Sequence, residues 1–388
     1  MSAKNNSENI KALLCQDMPG LVRALKLEGR RSGTYWLCRS RAHDTKIGGM
    51  WVTLTGGMAG IWVDAACGES GDPISLIGYV KFGSTKAYRD AFAWAREFLG
   101  LGTMTPEQRE RASREAEKRA VAASVEDAQK LKAARKTAKA IYLDAIKPAF
   151  LGSPAHRYLA SRGIDFGVLG RVPGCLGWLP ERRHTDTNTR WPVLLACFTD
   201  DAGDVAALHF TFLALDGSGK APLPPVLNSK GELEDANERN IWPGFKGAAI
   251  RLWRGASNRS IADANAWAEK HGEMETLVLC EGVEDGLSSV MSAPDLRTWA
   301  VGSLANLGNI KLPPCVDQVM VWRDNDWSKP QAAAQFKRGV AALQAQGARV
   351  SIVKSAIGKD ANDALRSGAS DAHGFAPLAA SAPVHQDS

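Results

Sequence analysis

Thr276-Leu277-Val278-Leu279-Cys280-Glu281-Gly282-Val283-Glu284-Asp285-Gly286 and Val319-Met320-Val321-Trp322-Arg323-Asp324-Asn325-Asp326 are the stretches whose reading decides the fold. Each opens on a short apolar run with the length and composition of a buried parallel strand, and each run leads into carboxylates. Open α/β sheets bind ligands at the carboxyl ends of their strands. If the two strands are neighbours, Glu281, Asp324 and Asp326 meet there and form a cage for hard divalent cations. Around them, strands are expected at 276–280, 298–301, 318–323 and 349–353, alternating with helices at 283–292 and 330–346. This βαβα alternation argues an α/β class with a parallel sheet flanked by helices.

Glu281-Gly282-x-x-Asp285 after one strand and Asp324-x-Asp326 after another resemble the signature of the Toprim domain, which bacterial-type primases, topoisomerases and some nucleases share. Lys359-Asp360-Ala361-Asn362-Asp363-Ala364-Leu365 is similar to the ending of primase-type Toprim domains. Upstream, three segments are similar to a region found beside Toprim in phage- and plasmid-type primases. They are Arg157-Tyr158-Leu159-Ala160-Ser161-Arg162-Gly163-Ile164, Leu208-His209-Phe210-Thr211-Phe212-Leu213 and Asp216-Gly217-Ser218-Gly219-Lys220-Ala221-Pro222. The motifs occur in family order over the region 145–366, which makes the set specific where each alone is weak.

The resemblance implies a DNA primase-like enzyme of phage, plasmid or mobile-element type. Its Toprim catalytic domain would occupy 275–366, preceded by an α/β primase-core region at 148–260 and a small zinc-ribbon-like β region at 1–100. Such an enzyme makes short RNA primers on single-stranded DNA from ribonucleoside triphosphates, with Mg2+ or Mn2+. Helicase function, where needed, would come from a separate partner, since no Gly-x4-Gly-Lys-Ser/Thr loop is present.

The 388 residues are enough for two or three domains with their own cores. The net charge of +6 permits nucleic-acid binding without requiring it. No apolar stretch approaches the roughly 20 residues of a membrane span, and residues 1–6 lack the apolar core of a signal peptide. Seven scattered cysteines suit a reducing compartment, so a cytoplasmic protein is expected.

Residues 1–100 are rich in Trp and Gly, with a helical pattern at 8–27, strand-like pieces at 34–38, 50–55 and 60–63, and a helical pattern from Pro73. Asp64-Ala65-Ala66-Cys67-Gly68-Glu69-Ser70-Gly71-Asp72-Pro73-Ile74 resembles half of the family's zinc ribbon, with Asp64 in the first cysteine's place. The other half, Cys38 to His43, has the wrong spacing. Zinc wants four ligands in a tetrahedron; Cys38, His43 and Cys67 offer three, and Asp64 would be an unusual fourth. Two readings stay open: a Zn2+ site, or a degenerate ribbon held by tryptophan packing.

Residues 105–147 read as one charged helical linker opened by the capping-box pattern Thr105-Pro106-Glu107-Gln108. Lys and Arg outnumber Asp and Glu along it; Lys130, Lys132, Arg135, Lys136 and Lys139 would touch phosphate if it is more than a solvated helix. In the 148–260 region, a hairpin is expected around Asp200-Asp201-Ala202-Gly203-Asp204. Nucleotide- or DNA-binding candidates are Arg157, Arg162, Arg190, His209, Lys220, Lys246, Arg251 and Lys359. Lys220 sits in a Gly-rich turn suited to phosphate, whereas His209 reads equally well as a core histidine. Residues 367–388 read as a disordered tail.

Transfer to a nucleotide α-phosphate needs an activated 3′-hydroxyl and a neutralised pyrophosphate, and two metal ions about 4 Å apart do both. Asp324 and Asp326 would point to one side of a continuing strand, with Asp360 joining them. Glu281 would serve as general base or second metal ligand. Asp285 lies one helical turn beyond, and Glu284 is expected to face away. A Toprim nuclease with the same acids is the first alternative, and a non-catalytic DNA-binding accessory the second. A topoisomerase would need a tyrosine-bearing cleavage domain, for which no region offers itself.

Overall fold

The computed structural model describes residues 3–41, 47–102, 105–227, 233–323, 330–354 and 360–367. They form two compact units that divide between residues 132 and 133.

In the first unit, helices α1 (Ala3–Gln16) and α2 (Met18–Ala24) replace the single helix expected at 8–27. The break falls where the Asp17 side chain accepts a hydrogen bond from the Gly20 amide and so starts a new helix. An antiparallel meander follows: β1 (Gly29–Ser32), β2 (Tyr35–Cys38), β3 (Met50–Thr53), β4 (Trp62–Asp64) and β5 (Glu69–Gly71). Its outer strands β1 and β5 are short and polar, which hid them from a reading based on apolar alternation. Helix α3 (Pro73–Phe82) is capped by Asp72 onto the Ser75 amide, and α4 (Tyr88–Phe98) packs beside it. Trp62 stacks on Tyr79 at 4.9 Å in a core with Leu14, Met50 and Ile77.

Helix α5 (Pro106–Ala145) opens with the expected capping box, the Thr105 amide donating to Gln108 Oε1 and the Gln108 amide to Thr105 Oγ1. Its C-terminal part is no mere linker: Ala138, Ile141, Tyr142 and Ala145 pack against Leu195 and Phe210 of the second unit's core.

The second unit continues with α6 (Pro154–Ser161), α7 (Phe166–Leu169), β6 (Leu176–Arg183), β7 (Arg190–Thr199) and β8 (Val205–Phe212). A two-stranded ladder of β9 (Val226–Leu227) and β10 (Leu233–Glu234) precedes β11 (Arg239–Trp242), β12 (Ala249–Arg254) and α8 (Ile261–His271). Then come β13 (Glu275–Cys280), α9 (Val283–Ser292), β14 (Arg297–Ala300), α10 (Leu304–Leu307) and β15 (Val316–Arg323). The last elements are α11 (Pro330–Gln344), β16 (Arg349–Lys354) and α12 (Ala361–Arg366).

One nine-stranded sheet runs through the unit in the order β11-β8-β7-β12-β14-β13-β15-β16, with β6 also paired to β7. Strands β14, β13, β15 and β16 are mutually parallel, which gives the expected α/β class. Antiparallel pairing of β12 with β14 fuses them to the β6–β8 meander. The stretches read separately as 148–260 and 275–366 therefore share a sheet. Both faces are covered: Tyr158, Phe198, Ile250, Val283 and Leu287 pack on one, and Leu279, Trp299, Val319, Val321 and Leu343 on the other. Burial on both sides explains the uninterrupted apolar runs. Among the described residues no helix is long and apolar enough to cross a membrane.

Candidate active site

Strands β13 and β15 are adjacent and parallel, with Leu279 level with Val321, so their carboxyl ends finish side by side as the sequence leads one to expect. Glu281 follows β13, and Gly282 in extended backbone starts α9 with no side-chain cap. Arg323 closes β15. Asp324, Asp326, Lys359 and His43 lie outside the described residues.

At this end of the sheet is a cavity of about 560 Å³. Glu281, Glu284 and Asp285 line it from the start of α9, Asp360 and Asn362 from α12, Arg162 from the end of α6, His209 from β8 and Arg239 from β11. Close packing of α9 on the sheet makes this possible: a Cβ on Gly286 would lie 2.3 Å from Leu252 Cδ1, so any larger residue there would have to displace the Leu252 side chain. At the opposite wall Gly302, with φ 79°, takes a left-handed turn in which a Cβ would strike the Phe198 ring.

Glu284, expected to face away, turns inward and is buried. It accepts hydrogen bonds from Tyr158 Oη at 2.9 Å and Arg239 Nη2 at 2.8 Å. Its helix lies between α12 and strand β12, so the flank a free helix would show to solvent meets protein instead. Burial by itself would raise the Glu284 carboxyl; the adjacent Arg239 and the hydrogen bonds outweigh it and hold the group below the usual carboxylate range. Burial pushes the His209 imidazole down to about 4, against the pull of Glu284 and with help from Arg239 and Lys220, so it is neutral at pH 7.

The Lys-Asp-Ala-Asn-Asp motif acquires a physical reason here. Asp360 caps α12 by accepting from the Asp363 amide at 2.9 Å while also lining the cavity. Asn362 donates through Nδ2 to the Arg162 carbonyl at 2.8 Å and to Ser288 Oγ at 2.9 Å, tying α12 to α6 and α9. Asn362 Oδ1 and Arg239 Nε are buried and have no partner among the described residues. An orphaned acceptor and donor beside a polar cavity are sites where a bound polar group is accommodated.

The acids facing this cavity offer only carboxylate oxygen, the donor chemistry that Mg2+ prefers. Among the described residues no three acids or other ligands converge to hold an ion by themselves.

Other sequence candidates lie elsewhere. Arg157 donates to the backbone carbonyls of Asp216 and Gly152. Lys220 pairs with Glu238 at 3.5 Å, and Arg190 with Glu181 at 3.2 Å, while Lys246 is exposed. Arg251 sits on the opposite face of β12 from Ile250, its guanidinium over the Trp299 ring at 5.2 Å. Arg239, which supplies the cavity's guanidinium, was missed because β11 is short and polar. Its only signal was an arginine in the Asn237-Glu238-Arg239-Asn240 run.

In the first unit, among the described residues, Cys38, Asp64 and Cys67 do not assemble into a metal site. Asp64 is fully buried, and its Oδ2 accepts from Ser40 Oγ, Tyr79 Oη and the Arg41 amide, its Oδ1 from the Ala66 amide. Burial pushes the Cys38 thiol up to about 12, with Asp64 adding to the effect, and its Sγ donates to the Met50 carbonyl. Cys67 meets the Tyr79 hydroxyl at 3.4 Å. Hydrogen bonds centred on Asp64 tie the end of β4 to α3 and to the segment after β2.

Residues 276–371 match the Toprim domain family, and residues 132–240 match a family described as a domain of unknown function (DUF7146). No curated protein matches the chain. Among solved structures, the chain is similar to the zinc-binding and RNA polymerase domains of the Aquifex aeolicus primase. That match has 15% identity over 97% of this chain and 87% of that one, with a TM-score of 0.37. A DnaG primase catalytic domain bound to single-stranded DNA is similar at 13% identity over 63% of this chain and 78% of that one, with a TM-score of 0.40. A Pseudomonas aeruginosa DNA primase domain is similar at 16% identity over 64% and 78%, with a TM-score of 0.35. The parallel sheet, the acids at its carboxyl edge and the family match agree that residues 276–371 of this chain are a Toprim domain.

Proposed function

We propose that the chain is a DNA primase-like nucleotidyltransferase that joins ribonucleotides into short RNA primers on single-stranded DNA. One observation carries this reading: the Toprim acids share a cavity with guanidiniums from the preceding region. In nucleotidyl transfer a 3′-hydroxyl attacks the α-phosphate, the bond to the β-phosphate oxygen breaks and pyrophosphate leaves with its charge. Glu281, Asp285 and Asp360, with Asp324 and Asp326 following β15, are the residues that would hold Mg2+. The ion would supply positive charge to the attacking and leaving oxygens.

Arg162, over the Tyr158 ring at 5.8 Å, would offer positive charge to an entering triphosphate, and Arg239, whose charge Glu284 balances, would offer it hydrogen-bond donors. His209, neutral at pH 7, offers a hydrogen bond to ribose or phosphate rather than a charge. A nuclease needs metal and strand but no triphosphate pocket, so the paired guanidiniums favour synthesis over hydrolysis. A phage-, plasmid- or element-encoded replication role, with a separate helicase, follows from the motif resemblance. All seven cysteines are free thiols, in keeping with work in the cytoplasm.

The test is incubation with single-stranded DNA, Mg2+ and labelled ribonucleotides, products being resolved by size, beside Glu281→Gln. A ladder of short oligoribonucleotides absent from the variant is expected. Shortened DNA without new RNA would make the chain a nuclease, and no product at all would leave a DNA-binding accessory.

A further inference from the structure

On the face of the sheet opposite the acidic cavity lies a second one of about 540 Å³, bounded by α5, β7, β12 and the start of α8. Arg171, Arg251, Arg254 and Arg297 line it, and among the described residues no aspartate or glutamate does. Arg297 is paired with Glu275, and Arg251 lies in the field of Asp201 and Asp200. Arg171 lies over the Trp253 ring at 4.3 Å and donates to the Asn258 side-chain oxygen. Arg251 lies over Trp299 and gives one hydrogen bond to the Asp200 carbonyl at 2.7 Å. The nearby carboxylates are already engaged, Asp200 by Arg135 at 3.2 Å and Asp201 by Lys311 at 3.0 Å. Arg254 has no side-chain partner among the described residues.

Three guanidiniums line one concavity, and an anion placed there meets charged donors from all of them. Two further features point the same way. Arg251 Nε and Thr199 Oγ1 are buried without partners among the described residues, at the wall formed by β7 and β12. Ser260, the N-cap of the 11-residue helix α8, and Ile261 after it also line the cavity, so the first amides of that helix, its dipole partly offset by Asp263, open there. The remaining lining, including Tyr142, Pro173 and Val205, is apolar or aromatic. A charged end beside an apolar wall, in a volume within the roughly 300–1,000 Å³ of small-molecule sites, matches a nucleotide with its phosphates on the arginines.

We propose that this cavity is a second, metal-independent binding site for a free nucleoside polyphosphate, its phosphates held by Arg171, Arg251 and Arg254. It needs none of the acids of the Toprim edge, so it stands or falls separately from primer synthesis. The test is calorimetric titration of the full chain with a nucleoside triphosphate in EDTA, beside titrations with inorganic phosphate and a short single-stranded oligonucleotide. Saturable triphosphate binding is expected, weakened about tenfold to a hundredfold in Arg254→Ala, with a further loss in Arg171→Ala/Arg254→Ala. Arg254 is exposed and unpartnered, and unchanged thermal melting of Arg254→Ala is the check that the fold survives.

Three results would overturn the proposal. One is no binding in EDTA, or binding equal in wild type and Arg254→Ala. Another is a matching loss in Glu281→Gln, which would return the nucleotide to the acidic cavity. The third is arginine-dependent binding of the oligonucleotide alone, which would make the cavity a strand contact.

Discussion

Replacing Glu284 by alanine removes the acid that joins α9 to α6 and β11. Two groups lose a shared acceptor at once: the hydroxyl of Tyr158, a residue 1% exposed, and the guanidinium of Arg239, 41% exposed. Breaking a buried ion pair costs about 3–5 kcal/mol, but solvent reaches Arg239 and recovers part of that. A stranded buried hydroxyl costs about 1–3 kcal/mol. The expected loss is thus about 3 kcal/mol for Glu284→Ala, and about half as much for Glu284→Gln, which keeps an acceptor for Tyr158.

The pH dependence has a definite sign. The folded Glu284 carboxyl sits below its unfolded value, so its contribution is present at neutral pH and disappears as pH falls through the folded value. Urea unfolding followed by tryptophan fluorescence, at pH 7 and at steps toward pH 3, should show the wild-type advantage over Glu284→Gln shrinking with acid. In the primer assay the loosened Arg239 should raise the KM for triphosphate more than it lowers kcat. A Glu284→Ala protein within about 0.5 kcal/mol of wild type at pH 7 would refute the reasoning.

Three shorter predictions follow from the same kind of argument. His209 titrates near 4 when folded and near 6.5 when unfolded, so stability present above pH 6.5 is lost as pH falls toward 4, by up to about 3 kcal/mol. His209→Gln should flatten that limb, and an unchanged limb would show that another group causes it. Arg297 is 3% exposed and paired with Glu275, so Arg297→Ala should cost the second unit about 3 kcal/mol or more in urea unfolding; a loss below about 1 kcal/mol would mean the pair is idle. Asp64→Ala should destabilise the first unit by about 2–4 kcal/mol, Asp64→Asn by less, and a zinc chelator should leave wild-type melting unchanged. A melting temperature lowered by the chelator would restore the metal reading.

The Toprim sheet was legible because parallel strands buried on both faces must be apolar throughout, and 277–280 and 319–322 are the chain's clearest such runs. Helix α9 was read to its final boundaries, since its glycine start and its apolar spacing are local signals. The first unit was harder. Strands β1 and β5 are edge strands without alternation, and the Asp64 substitution only becomes intelligible once Ser40, Arg41 and Tyr79 converge on it.

The sequence by itself determined that acids end the strands of a parallel α/β sheet, because that pattern is written in residues close along the chain. Tertiary structure alone decided which cations share a cavity with Glu281. Arg239 reaches the cavity that Glu281 lines from a short polar strand, through the antiparallel pairing of β11 with β8. Arg251, equally basic and on a longer strand, faces away because side chains alternate across a sheet and its neighbour Ile250 takes the inward position. Charge is a property of a residue, but the face it occupies depends on pairing between segments distant in sequence, and no local pattern encodes that.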